Sequence, residues 1–269
     1  MSEGSGRILL AEDHAVDQRV ATAMLEHLGY EVDVVADGEE AVDAAVATPH
    51  RAILMDCQLP VLDGYQATEQ IRNAEGTTRH TPIVAVTGSG SPSDRRRCLA
   101  AGMDDHLLKP LTLKEVTRVL TRWIPSAPPG TMITDPVEPA QVTSSTERDP
   151  QHPVLDKEVI GGLQRLGDSV GEDLIRQLTL IFVEDSEAAI ITLRAAVGAG
   201  DTAAVVRTAH ALRGASVNLG ATDLGRMFAS LEALDVAGGL LASAHTVDAI
   251  EAEFGRVRSA LGSLTVEIA

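Results

Sequence analysis

The chain has 269 residues, with 22 Lys and Arg against 39 Asp and Glu, for a formal charge of −17. That length suits two domains of roughly 100 to 150 residues each, while the negative charge repels polyanions and the scattered aromatics (two Tyr, three Phe and one Trp) leave no platform on which bases could stack. Nucleic-acid binding is thereby excluded.

No apolar run approaches the 18 or so residues of a spanning helix, and the opening MSEGSGR lacks the stretch of a secretion signal, so a cytoplasmic protein without direct membrane insertion is expected. Cys57 and Cys98 match neither a CxxC pair nor a disulfide framework, and are expected as small core or near-core residues in a reducing compartment.

From the N-terminus, short β-rich runs alternate with segments of helical period. RILLA precedes DQRVATAMLEHLG, EVDVVA precedes GEEAVDAAVAT, AILMD precedes GYQATEQIRNA, PIVAVT precedes SDRRRCLAAG, and HLL precedes LKEVTRVLTRW. Five such pairs over residues 7–124 predict an α/β domain with a doubly wound, five-stranded parallel sheet. In that architecture, functional groups collect beyond the carboxyl ends of the strands, where Glu12, Asp13, Asp56, Thr87 and Lys109 stand. Acids after the first and third strands would form an all-oxygen pocket suited to Mg²⁺, a cation commonly held by one or two carboxylates, waters and a phosphate oxygen. Lys109 adds a second positive clamp and Thr87 a hydroxyl donor, the arrangement phosphoryl transfer needs.

Two stretches of this domain carry less. GSGSPS at residues 88–93 lacks the GK[ST] of a phosphate-binding loop and reads as a flexible loop, and Arg95, Arg96 and Arg97 read as a solvated helix face with partner contact as the alternative. Seven of the twelve prolines then fall in PSAPPGTMITDPVEPAQVTSSTERDPQHP. Residues 125–153 are therefore expected to be a Pro-rich flexible linker with an r.m.s. span of roughly 30 Å. Such a linker lets the flanking domains meet without fixing them together.

After the linker, residues 154–264 show only helical periods, predicting an all-α domain. In DTAAVVRTAHALRGASVNLG, Asp201 stands where a cap is wanted, Gly220 at a helix stop, and Thr222 where the next helix needs its cap. Val205, Ala209, Leu212, Ala215 and Leu219 recur at spacings of three and four and mark the buried stripe, which leaves His210 near or on the solvent side beside Arg207, Arg213 and Gly214. A free imidazole titrates near neutrality, so a neutral ring is a competent nucleophile. Access for a partner's acidic pocket would account for Gly214, which costs about 1 kcal/mol of helix propensity, and Arg213 could neutralise phosphoryl oxygens.

Two resemblances join these observations. The segments ILLAEDHAVDQ, ILMDCQLPVLDGYQAT, VAVTGS and GMDDHLLKPL resemble the receiver domain of bacterial response regulators over residues 7–124. The resemblance implies a phosphoaspartate at Asp56, Mg²⁺ ligands at Glu12, Asp13, Asp56 and the backbone carbonyl of Gln58, phosphoryl contacts from Thr87 and Lys109, and a cis bond before Pro110. Gly88 departs from the usual alanine. His106 departs from the usual aromatic switch residue that moves with Thr87, and reads equally as a strand residue facing the last helix.

AHALRGASVNLGA resembles the motif of histidine phosphotransfer (Hpt) domains, which implies an antiparallel four-helix bundle with a shorter leading helix over residues 154–264. By the same resemblance His210 is the phosphohistidine and Gly214 the clearance residue, with Arg213 standing where lysine is usual. His245 is expected at the surface, and His14 either in the loop or brushing the metal pocket.

Together the resemblances imply a two-component phosphorelay intermediate like the C-terminal part of a hybrid sensor kinase. It would take a phosphoryl group from an upstream histidine kinase on Asp56 and pass it through His210 to the receiver domain of a downstream response regulator. No glycine-rich ATP lid is visible, so a carrier that ATP alone does not label is expected. A detached kinase tail or phosphate sink, or a non-catalytic adaptor, are the alternatives.

Overall fold

The structure is a computed structural model that describes residues 6–77, 79–88, 90–124, 153–233 and 240–267. The linker expected at residues 125–153 lies, apart from Pro153, outside the described residues.

The N-terminal domain runs β1 (Arg7–Ala11), α1 (Ala15–His27), β2 (Glu31–Val35), α2 (Gly38–Ala47), β3 (Ala52–Asp56), α3 (Gly64–Glu75), β4 (Ile83–Thr87), α4 (Pro92–Ala101), β5 (Asp105–Leu108) and α5 (Leu113–Trp123). All pairings are parallel in the order β2-β1-β3-β4-β5. Central β3, AILMD, is buried along its whole length, as a strand covered on both faces must be. Helices on one face enclose Leu9, Ile53, Met55, Ala67 and Ile71. Beneath α1 and α5, Ile8, Leu10, Leu54, Val20 and Val116 form the second core.

Local chemistry sets where the helices start. Asp37, Asp63, Ser91 and Thr112 each accept a hydrogen bond from the backbone N–H three residues on, which satisfies one of the donors left open at a helix N-terminus. The Ser91 cap, with Pro92 in the first turn, starts α4 inside GSGSPS, so the end of that stretch is helix and not loop.

The C-terminal domain comprises α6 (Lys157–Val170), α7 (Leu174–Ala199), α8 (Thr202–Asn218), α9 (Thr222–Glu232) and α10 (Leu240–Glu267). Helix α7 packs on α8 and α10, α9 closes the ring against both, and the shorter α6 leads onto α7. This is an antiparallel four-helix bundle with a leading helix. Its core holds Phe182, Leu193, Leu212, Phe228, Ile250 and Val257, each buried apolar side chain contributing about 1.5–3 kcal/mol. The five expected stripe residues of α8 are all buried.

Asp201 caps α8 by accepting from the N–H of Ala204, and Gly220, at φ 73°, ends it in a left-handed conformation that glycine adopts freely. Thr222 does not cap α9: it is the first helical residue, and the cap position is Ala221, which offers no side-chain hydrogen bond.

The two domains touch. Helix α1 lies against α6, α7 and α8, and the apolar core under α1 is continuous with that of the bundle.

Candidate functional site

The strand order places the sheet's reversal between β1 and β3, where ligands bind beyond the strand ends in folds of this kind. Glu12 and Asp13 follow β1 there and Asp56 closes β3, and their carboxylate oxygens lie within 4.8 Å of one another. Asp56 Oδ1 accepts from the backbone N–H of Gln58 at 2.7 Å, and Oδ2 accepts from Lys109 Nζ at 2.6 Å. The same ammonium lies 2.7 Å from Glu12 Oε2 and 3.0 Å from Asp17 Oδ2. The Lys109–Pro110 peptide is cis.

Three carboxylates on one ammonium, with Asp13 beside them, leave excess negative charge. Burial pushes the Glu12 carboxyl well above its ordinary range, opposed by Lys109 and reinforced by Asp56 and Asp17. Asp13, at the exposed rim, is raised by partial desolvation and then by Asp56. Burial alone would lower the Lys109 ammonium, yet Asp56, Asp17 and Glu12 hold it well above its usual value. An oxygen-only cluster with surplus negative charge fits a hard divalent cation such as Mg²⁺.

On the bundle side, His210 is half-buried, its side chain 19 % exposed, with the N-terminal domain opposite it. Its Nδ1 lies 3.4 Å from Glu232 Oε1, so Nε2 is the ring nitrogen that does not face this carboxylate. Glu232 Oε1 also accepts from Arg213 Nε at 2.8 Å. Burial would raise the Glu232 carboxyl, but the His210 hydrogen bond and the Arg213 charge hold it below its ordinary value.

These two sets face each other across a single cavity of about 500 Å³, lined by Glu12, Asp13, Asp56, Thr87 and Lys109 from the sheet edge and by Arg207, His210, Arg213 and Gly214 from α8. Gln58, expected to offer its carbonyl, lines it too. The approach is close. A Cβ on Gly214 would sit 2.6 Å from Asp17 Oδ2, and one on Gly88 would overlap Nη2 of Arg213.

Two of the three departures from the family patterns, Gly88 and Arg213, therefore lie against each other. The missing side chain at Gly214 makes room for Asp17 of α1.

Other candidates fall elsewhere. His106 is half-buried on β5 with Nδ1 3.8 Å from Asp105 Oδ1, and does not line the cavity. The contact from β5 to α5 belongs instead to Asp105, whose Oδ2 accepts from Trp123 Nε1 at 3.1 Å. His14 lines the cavity, but its Nδ1 accepts from the N–H of Val16 and so caps α1. His245 is exposed. Arg97 stacks 3.9 Å above the Tyr65 ring and pairs with Asp63 at 3.7 Å, more than a solvated face requires. The two cysteines are buried with their sulfurs 3.9 Å apart, although 41 positions separate them in sequence.

Comparison with known families decides between these chemistries. The family model of the response regulator receiver domain matches residues 8–121, and that of the Hpt domain matches residues 177–260. The chain is a receiver domain followed by an Hpt domain. It is 28 % identical to the sensor histidine kinase GacS of Pseudomonas protegens over 260 residues, covering 90 % of this chain and 27 % of that protein.

Histidine kinase 1 of Arabidopsis thaliana is 42 % identical over 156 residues, 45 % of this chain and 13 % of the relative, so the chain spans only a minor part of such proteins. Among solved structures, the Mg²⁺-bound receiver domain of the sensor histidine kinase PA1611 of Pseudomonas aeruginosa is 51 % identical, covering 46 % of this chain and all of that one, at a TM-score of 0.43. By its two family matches the receiver–Hpt protein is a two-component signal-transduction protein. Among the described residues no helix is long and apolar enough to cross a membrane.

Three residues of the site were not anticipated. Asp17 is 5 % exposed and accepts from Lys109 Nζ and from Asn218 Nδ2, the latter at 2.8 Å. Asn218 stands two helical turns beyond His210, so the spacing 210, 214, 218 was a usable signal for its shared face. Glu232 lies on another helix, and no spacing in the sequence points to it.

Proposed function

We propose that the protein is a phosphorelay intermediate, with receiver, linker and Hpt domain at residues 7–124, 125–153 and 154–264. It accepts a phosphoryl group from a partner histidine kinase on Asp56 and passes it through His210 to the receiver domain of a downstream response regulator. The observation that carries this reading is the single cavity lined by both Asp56 and His210.

In the transfer, the bond between phosphorus and the Asp56 oxygen breaks as one to His210 Nε2 forms. The Asp56 carboxylate is regenerated, and the Nδ1 proton stays on the ring, where Glu232 offsets the positive charge that develops. Lys109 takes the charge returning to Asp56, the Thr87 hydroxyl donates to a phosphoryl oxygen, and the Nη groups of Arg213 face the cavity from the other side. Glu12, Asp13, Asp56 and the Gln58 carbonyl would hold Mg²⁺, which when bound supplies positive charge where the phosphoryl oxygens gather. Nothing in this sequence needs a base, so catalysis is positioning and charge neutralisation. The switch role of Thr87 with His106 belongs to the same proposal, His106 acting from β5 without entering the cavity.

Because GacS, of which the chain covers 27 %, is a sensor kinase, the kinase serving this receiver–Hpt pair is proposed to act from a longer or separate chain.

The test separates relay from adaptor. With Mg²⁺ and acetyl phosphate as donor, the wild-type chain is expected to gain first base-labile phosphate on Asp56 and then base-stable phosphate on His210. Asp56→Asn should carry neither, and His210→Gln only the base-labile form. Base-stable label in Asp56→Asn, or none in the wild type, would refute the relay.

A further inference from the structure

The relay reading leaves open which Hpt domain the receiver serves. The contact between the two domains is built from matched polar pairs on α1. Arg19 donates through Nε to Gln177 Oε1 at 2.9 Å, and its Nη2 pairs with Glu172 Oε2. Two residues earlier, Asp17 accepts from Asn218 Nδ2 in a contact where both residues are more than nine-tenths buried. At the far end of α1, His27 Nδ1 lies 2.6 Å from Ser169 Oγ. These pairs reach α6, α7 and α8 of the bundle from different sides of a single receiver helix, so they fix orientation as well as distance.

Their chemistry discriminates. Asp17 Oδ2 is held by Lys109 within the receiver, so Oδ1 is the acceptor that a docked partner must satisfy, since a buried acceptor without its donor loses more than the hydrogen bond contributes. Arg19 is 18 % exposed, and an ion pair of this kind adds little by itself. Its selectivity lies in what it rejects: a partner with a basic group at the position of Glu172 would place like charges together. The side chains missing at Gly88 and Gly214 complete the fit, since each is filled from the opposite domain by Arg213 or Asp17.

We infer that the α1 face of the receiver and the α6–α8 face of the Hpt bundle are a docking pair matched within one chain, with Arg19 and Asp17 as its specificity-determining residues. This inference rests on the relay reading for its purpose and on the interdomain contacts for its geometry.

The test uses the full chain carrying Arg19→Glu, Glu172→Arg, or both, with two readouts: hydrogen exchange of the α1 amides, and the rate at which base-stable phosphate appears on His210 after acetyl phosphate has loaded Asp56. Arg19→Glu sets three carboxylates together at residues 19, 26 and 172. It should speed α1 exchange and slow transfer about ten-fold or more, while loading of Asp56 keeps its wild-type rate. The double swap should return both readouts toward wild type, and the wild-type transfer rate should not depend on protein concentration.

Unchanged exchange and transfer in Arg19→Glu, failure of the swap to restore them, or a rate that rises with concentration would each overturn the inference. If α1 exchange responds and is rescued but the wild type never labels His210, docking stands and the relay reading falls.

Discussion

Arg213 reaches across to the receiver, its Nη2 lying where a side chain at position 88 would begin, while its Nε is tethered to Glu232 at 2.8 Å. Position 88 usually carries alanine in receivers and position 213 usually lysine in Hpt domains, so the longer, planar guanidinium here is matched by the absence of a Cβ opposite it. Gly88→Ala should therefore displace the guanidinium and slow transfer to His210 by about ten-fold, given that misplacements near 1 Å can cost up to about a hundred-fold. Adding Arg213→Lys should recover part of that loss, because an ammonium has no fork to fit. Single-turnover transfer from loaded Asp56 measures both.

At this scale, the residues legible in the sequence were those whose position follows from local rules. Asp56 and Lys109 sit at strand ends, and His210 sits off a helical stripe. Asp17 escaped because its partners lie 92 and 201 positions away, and pairing at such separations leaves no period to detect.

Among elements, α8 was readable from end to end because its cap, stripe and stop agree with one another. Gly220 does more than stop the helix. Its carbonyl accepts from the N–H of Asp156 at 2.8 Å, tying the end of α8 to the start of α6, and a Cβ there would lie 3.0 Å from that same nitrogen. Gly220→Ala should destabilise the Hpt bundle by about 1–2 kcal/mol through the left-handed backbone alone, with the added contact in the same direction, as denaturant unfolding would record.

Boundaries were less legible than existence. Helix α4 starts at Pro92 because Ser91 caps it, a signal hidden in a stretch rich in Gly and Ser. Helix α9 starts without a side-chain cap because the Gly220–Ala221 turn already orders its first residues: Ala221 N–H donates to Ser216 O at 2.8 Å.

For the whole molecule, the acidic cavity links folding to pH and to metal. Glu12 and Asp13 have raised folded values. Their contribution to stability is thus complete below the ordinary carboxyl range near pH 4 and is lost as pH rises through those raised values. Glu75, Asp105 and Glu232 are held low, so theirs is lost only as pH falls below that range.

Above the ordinary carboxyl range the first pair dominates. Without Mg²⁺ the receiver's melting temperature should fall as pH rises through those raised values, and Mg²⁺ at a hundred times its dissociation constant should add about 2.7 kcal/mol. Asp13→Asn should weaken both effects in thermal melts followed by circular dichroism. The hydrophobic period foretold the two fold classes, but not that the domains meet, since a proline-rich connection of that length constrains no relative position.

The shared cavity would also set an order of events under the relay proposal. A phosphoryl group on His210 would face the domain that delivered it, so the two domains would have to part before a second receiver could take it. The tempo of such a protein would then be kept by that separation, ahead of the chemistry.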